Sequence, residues 1–264
     1  MTIDFHVHVF PDRVAEKAIP ELAERSCLIP VTDGTLSGME TRMDEFGIDD
    51  FVVLSIATNP RQMHKVNDFA IELKNRGRLV FGSVHPFAED MPDELSRIKE
   101  AGLLGIKLHP VYQGFAINDR RAYPVYECCR ALKMPICFHA GVDVGYPRDM
   151  AAMPKASADL LRDFPDLVMV FAHLGGYSVW DDVITYLAGR GENVYFDTSA
   201  VNWTIDPEFA ARLIRKHGAD RVLFGSDCPW ESPKTAAQFI ESLDLPDDQK
   251  EMIFSKNALR LLGI

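Results

Sequence analysis

At 264 residues the chain has the length of one large domain or two small ones, and its formal net charge of −11 argues against a protein that tracks nucleic acid, which needs clusters of Lys and Arg. Hydrophobic residues at 47% and charged residues at 25% describe a globular protein with ample core material, and no apolar run approaches the roughly 18 residues of a membrane span. The five cysteines are odd in number and lack Cys-x-x-Cys spacing, so they suggest neither a disulfide framework nor a thiolate zinc site.

The chain opens on Ile3 to Phe10, an apolar run with no basic or signal-like segment before it, and the expected compartment is the cytoplasm. Seven further runs rich in β-branched or aromatic residues follow: Phe51 to Thr58, Leu79 to His85, Gly105 to His109, Pro135 to Ala140, Leu167 to His173, Val194 to Ser199 and Val222 to Asp227. Between them lie stretches with helical spacing, such as Asp93 to Ala101, which stops at Gly102. Strand–helix alternation sustained for eight units predicts an α/β fold, a (β/α)8 TIM barrel of about 250 residues. No linker interrupts it, so residues 1–264 are expected to form a single domain. The first unit is longer than one helix needs, and Leu28 to Thr35 is expected to be a loop.

The first run carries His6-Val7-His8. Residues two apart in a strand share a face, so the two imidazoles form half of a metal clamp, which zinc completes with at least one more protein ligand. His85, His109, His139, His173 and Asp227 fall at or near the C-terminal ends of later strands, the rim where barrel enzymes build active sites. A nitrogen and oxygen donor set of this kind suits zinc, manganese or iron. His217, beside Gly218, is explained by a helix C-terminus instead.

Five segments in this order, His6-Val7-His8, Gly105-Ile106-Lys107-Leu108-His109-Pro110, His139, His173-Leu174-Gly175-Gly176 and Gly225-Ser226-Asp227, resemble the amidohydrolase superfamily. The closest resemblance is to its amidohydrolase-related (amidohydrolase 2) branch of metal-dependent TIM-barrel hydrolases and decarboxylases. Asn257 to Leu262 is similar to that branch's closing helix. The resemblance implies that His6, His8, His139 and Asp227 are metal ligands, that Asp227 and His173 are catalytic, and that His173 is an alternative further ligand. It favours one ion, most readily Zn2+, with Mn2+ or Fe2+ as alternatives. A second ion would follow if Lys107 were carbamoylated, as in dihydroorotase-like members; an unmodified Lys107 would instead bind a substrate carboxylate.

Two reactions follow from such a site. In the first, metal-activated water hydrolyses a C–O or C–N bond of a small carbonyl substrate, a lactone or cyclic amide, with Asp227 moving the proton and His173 polarising the carbonyl. The alternative is a carboxy-lyase, a non-oxidative decarboxylase of a small carboxylic acid, with His173 or Asp227 delivering a proton to carbon. The deoxyribonuclease branch is disfavoured because it carries glutamate where this chain has Lys107, and a silent metal-binding scaffold is disfavoured by the intact ligand set. Asn59, His85, Tyr112, Gln113, Tyr177, Trp203 and Trp230 follow strand ends and are candidates for contact with a flat small molecule. The expected partner is that small molecule, with no nucleic acid and no membrane; the family resemblance is compatible with a homodimer.

Overall fold

The computed structural model describes all 264 residues. Its elements are β1 (Ile3–Val7), α1 (Asp12–Ser26), α2 (Leu36–Phe46), β2 (Asp50–Leu54), α3 (Met63–Asn75), β3 (Leu79–Gly82), α4 (Met91–Glu100), β4 (Gly105–Leu108), α5 (Pro110–Gln113) and α6 (Tyr123–Ala131). There follow β5 (Ile136–Phe138), α7 (Pro154–Asp163), β6 (Met169–Phe171), α8 (Trp180–Tyr186), β7 (Val194–Asp197), α9 (Pro207–His217), β8 (Val222–Leu223), α10 (Pro233–Ser242), α11 (Asp247–Glu251) and α12 (Asn257–Leu262). The strands form one sheet in chain order from β1 to β8, with parallel neighbours, and alternate with helices. This is the (β/α)8 barrel topology that the alternation predicts.

Every expected strand is present, and every one is shorter than its apolar run. Most of the difference falls at the C-terminal ends, where His139, Ala140, Ala172, His173 and Ser226 remain buried beyond the last strand residue; β5 and β6 also start later than their runs. Hydrophobicity reports burial, whereas a strand also needs neighbours in register on successive residues; past the strand ends only single pairing bonds continue, such as His139 N–H to the Leu108 carbonyl at 3.0 Å and Ala172 N–H to the Phe138 carbonyl at 2.9 Å. No helix is long and apolar enough to cross a membrane.

The chain groups into two compact units, residues 1–53 with 197–264, and residues 54–196. In the first, β1 is buried on both faces, as parallel strands are. Ile3, Phe5 and Val7 fill one face, while the other carries the polar pair Asp4 and His6. The long first connection holds two helices separated by the expected loop. α1 is followed by Cys27 in a left-handed conformation, and α2 is capped by Thr35, whose hydroxyl accepts from the Gly38 N–H at 3.0 Å. α9 is capped by Asp206 and ends in Arg215, Lys216 and His217 before Gly218, so His217 sits where the helix dipole favours a cation. Asn257 donates to the carbonyls of Ala219 and Val222 at 2.7 Å, tying α12 to the start of β8.

In the second unit, Asn67 of α3 donates to the Ser83 carbonyl at 2.8 Å and accepts from the Ser83 N–H at 2.9 Å, bonding the helix to the chain just after β3. The same amide donates to Glu94 of α4 at 2.6 Å. Glu94 is buried, and its carboxylate is held ionised by Arg97 and Asn67 against the opposing effect of burial. His64 closes the network, bridging Asp90 at 2.6 Å and Glu94 at 2.8 Å. Its pKa is raised above 6.5, first by the hydrogen bond to Asp90. A group whose folded pKa is raised stabilises the fold below its unfolded value and loses that contribution as pH rises through the folded one. The unfolding midpoint of the wild type should therefore exceed that of His64→Gln below about pH 6.5, the gap closing in alkaline buffer; a gap independent of pH would show that the imidazole charge is not involved.

Candidate metal centre

In the first unit the pairing of β1 continues beyond the end of β8. The N–H of Phe5 donates to the Phe224 carbonyl at 2.7 Å, that of Asp227 to the His6 carbonyl at 2.8 Å, and that of His8 to the Cys228 carbonyl at 2.8 Å. Gly225 allows this approach, since a Cβ there would stand 2.9 Å from the Cβ of His6. The segment then turns through Asp227, whose φ of 74° lies in the left-handed region that side chains resist. Its carboxylate is thereby set against the clamp, with Oδ1 3.4 Å from Nε2 of His6 and 3.1 Å from Nε2 of His8. One donor atom from each residue lies within 4.8 Å of the others.

Asp197, at the end of β7, stands behind His6. Its Oδ2 lies 2.8 Å from Nδ1 of His6, and both side chains are buried. Ser199 donates to Oδ1 of Asp197 at 2.5 Å and lies 3.0 Å from the same imidazole nitrogen. A carboxylate on Nδ1 holds the proton there and leaves Nε2 as a bare lone pair, the arrangement that orients and strengthens a metal-ligating histidine. Asp4, also on this face of β1, accepts from Ser226 and is pushed up to about 7 by burial, opposed by its hydrogen bonds. Glu231 is buried with both carboxyl oxygens unpartnered, and burial first, then the charges of Asp227 and Asp4, push it up to about 9. Trp230 is half-buried beside it in sequence, and Trp203 is 43% exposed.

Sequence reasoning passed over Asp197, Ser199, Asp4 and Glu231. Asp4 had a readable signal, a carboxylate inside a buried apolar strand, while Asp197 becomes meaningful only once its distance to His6 is known. Replacing Asp197 with Asn should weaken binding of a divalent cation about 10- to 100-fold in a metal titration of the full chain. Unchanged affinity would separate Asp197 from the metal centre.

The second unit gathers another set of rim histidines. His173 Nε2 lies 3.1 Å from His139 Nδ1, and the His109 and His139 rings stack with centroids 4.1 Å apart. Asp143, also buried, places Oδ2 3.4 Å from His109 Nε2 and 3.9 Å from His139 Nε2. The pKa of His139 is driven well below 6.5, first by burial and then by the neighbouring His109 and His173 charges, so the imidazole is neutral. Gly141 permits the turn after His139: its φ is +87°, and a Cβ would meet the Tyr177 backbone nitrogen at 2.2 Å. His173 and Leu174 both have positive φ, and the His173 carbonyl accepts from Trp180 Nε1 at 3.0 Å.

The remaining candidates divide. Lys107 is buried in β4 with Nζ 3.8 Å from Cys137 Sγ. Tyr112 is half-buried and packs edge-on against His109, Tyr177 packs edge-on near His173, and Asn59 is half-buried ahead of a short 3-10 turn. His85 is buried, which lowers its pKa, and its Nδ1 accepts from the Phe87 N–H at 3.3 Å. Gln113 differs from the sequence expectation of substrate contact. Its amide donates to the carbonyls of Ala57 and Val84 at 2.9 Å and accepts from the His109 N–H at 2.8 Å, so its donors and its oxygen are committed to the backbone.

The donor chemistry fits a divalent cation. His6 and His8 present imidazole nitrogen beside the carboxylate of Asp227, and Asp197 fixes the His6 tautomer that such a cation requires. His139 Nε2 is a buried nitrogen with no hydrogen-bond partner on a neutral ring. The ring is neutral, so one of its two nitrogens carries a lone pair, the form in which imidazole binds metal.

The Amidohydrolase family model matches residues 3–264. Gamma-resorcylate decarboxylase of Polaromonas sp. strain JS666 is 26% identical over 314 aligned positions, covering 95% of this chain and 92% of that protein. An uncharacterised TIM-barrel protein of Bordetella bronchiseptica superposes with a TM-score of 0.78 at 22% identity, over 99% of this chain and 98% of the other. Dihydroxybenzoic acid decarboxylase of Polaromonas sp. JS666, solved with bound manganese and the inhibitor 2-nitroresorcinol, gives a TM-score of 0.71 at 20% identity, over 99% and 96%. With the family match running from the first strand to the closing helix, the chain belongs to the amidohydrolase family.

Proposed function

We propose that the chain is a metal-dependent carboxy-lyase that removes carbon dioxide from a small, flat carboxylic acid. The observation that carries this is the convergence of His6, His8 and Asp227 donor atoms within 4.8 Å, with His6 held by Asp197. Decarboxylation rather than hydrolysis is supported by the relative matched over nearly its whole length, whose name is that of a decarboxylase. Of the two reactions expected from the sequence, the comparisons favour the second.

In this proposal His6, His8 and Asp227 hold a divalent cation, zinc or manganese. A bound divalent cation supplies Lewis-acid stabilisation of the substrate's oxygen atoms. The chain's own residues do the rest. Asp197 and Ser199 keep His6 in one tautomer. His173, held beside His139 and by its carbonyl to Trp180, is the acid that donates a proton to the ring or alkene carbon. The electron pair of the breaking C–C bond takes that proton, carbon dioxide leaves, and His173 regains a proton from solvent. Tyr112 and Tyr177, half-buried and packed against histidines, are the aromatic walls proposed for a flat substrate.

Protein loaded separately with Zn2+ and Mn2+ and offered a panel of hydroxybenzoates and enoate acids should release carbon dioxide in step with the decarboxylated product. Asp227→Asn should lose about 100-fold or more of that turnover, a usual scale for a lost acid–base or electrostatic group. Acid release from lactones or cyclic amides without loss of carbon would select hydrolysis instead.

A further inference from the structure

We infer that Asp4 and Ser226 are positioning residues for Asp227: they latch the segment after β8 to β1 so that the Asp227 carboxylate meets the imidazoles of His6 and His8. The inference rests on the metal-binding role proposed for those three residues.

Asp4 and Ser226 are both fully buried. Oδ1 of Asp4 accepts from the Ser226 N–H at 2.9 Å and the His6 N–H at 3.1 Å, and Oδ2 accepts from the Ser226 hydroxyl at 2.5 Å. The oxygen of that hydroxyl in turn accepts from the Cys228 N–H at 3.0 Å. One carboxylate therefore gathers the backbone of the first proposed ligand and the residue before Asp227, and the serine carries the connection to the residue after it. Asp227 lies between two clamped neighbours, in a left-handed conformation that a free chain avoids.

Strand pairing alone does not need this arrangement. The bonds from Phe5 to Phe224, Asp227 to His6 and His8 to Cys228 are all made by the main chain and involve neither side chain. Apolar residues of similar size would fill the same space without burying a carboxylate, which is a poor route to stability. What the side chains add is the orientation of the turn that presents Asp227. Neither residue is aimed at the substrate in this assignment; both act through the Asp227 carboxylate.

Co2+ alone is a suitable probe, because its visible absorption reports ligand geometry while a titration reports affinity. Ser226→Ala should raise the Co2+ dissociation constant about 10- to 100-fold, the usual effect of losing a group that orients a ligand, and change the visible spectrum. Asn257→Ala serves as the control for stability, since Asn257 is a buried bonded side chain of the same unit that bonds Ala219 and Val222 instead. It should lower the unfolding midpoint of the metal-free full chain and leave Co2+ binding as in the wild type. Wild-type affinity and spectrum in Ser226→Ala would overturn the inference, as would an equal loss of Co2+ binding in Asn257→Ala. Should Ser226→Ala fail to fold, Asp4→Asn decides by the same two readouts, since it removes the charge at nearly constant size. A wild-type chain that takes up no Co2+ would overturn the metal-binding proposal and this inference together, whereas variants that bind like a competent wild type overturn the inference alone.

Discussion

The first unit depends on a parallel pairing between β1 and the residues after β8, and this pairing has little tolerance. It brings two main chains so close at His6 and Gly225 that a single Cβ on the glycine would collide. Once the chains are joined, the geometry of the pleat places His6 and His8 on one face, and the turn through Asp227 puts a carboxylate opposite both. The strained φ at Asp227 is tolerated because hydrogen bonds on either side determine the path.

Charge is arranged differently in the two units. The first concentrates carboxyl groups around two histidines: Asp4, Asp197, Asp227 and Glu231 are buried or nearly so, and burial raises the pKa of Asp4 and Glu231. Such an accumulation of acceptors is costly without a compensating cation, and it suits the metal-binding role proposed for His6, His8 and Asp227. The second unit concentrates imidazoles, with His139 in contact with both His109 and His173, and Asp143 as a nearby carboxylate. Crowding and burial keep His139 neutral, which leaves it able to offer a lone pair rather than a charge.

The glycines and positive-φ residues at the rim serve these arrangements more than they serve the sheet. Gly141 lets the chain pass against Tyr177 two residues after His139, and His173 and Leu174 turn in the left-handed region, starting two residues after the last residue of β6. Several strands end where a polar side chain follows, as at His8, His109 and His139. Regular structure thus ends where chemistry begins, and the rim residues stay buried through contacts that no periodic pattern announces.

Much of this protein was legible in the chain itself. Eight apolar runs alternating with helical stretches specify the order of elements, because a parallel strand is buried on both faces and so mostly apolar, and its crossover helix is apolar on one. The two-residue spacing of His6 and His8 determines that they share a face, since it follows from local backbone geometry alone. The recurrence of histidine at strand ends likewise needed no structure to be noticed, and the family resemblance gave Asp227 its place. Tertiary structure alone decided which neighbours these residues meet. Gln113 looks like any polar residue on a rim loop, yet three backbone groups, two of them distant in sequence, take up its amide. Asp197 is separated from His6 by 191 residues and Ser226 from Asp4 by 222, so their bonds arise only when strands remote in sequence become adjacent in space. Local sequence determines periodicity and therefore faces; hydrogen-bond partners across such separations depend on the packed register, which only the folded chain defines.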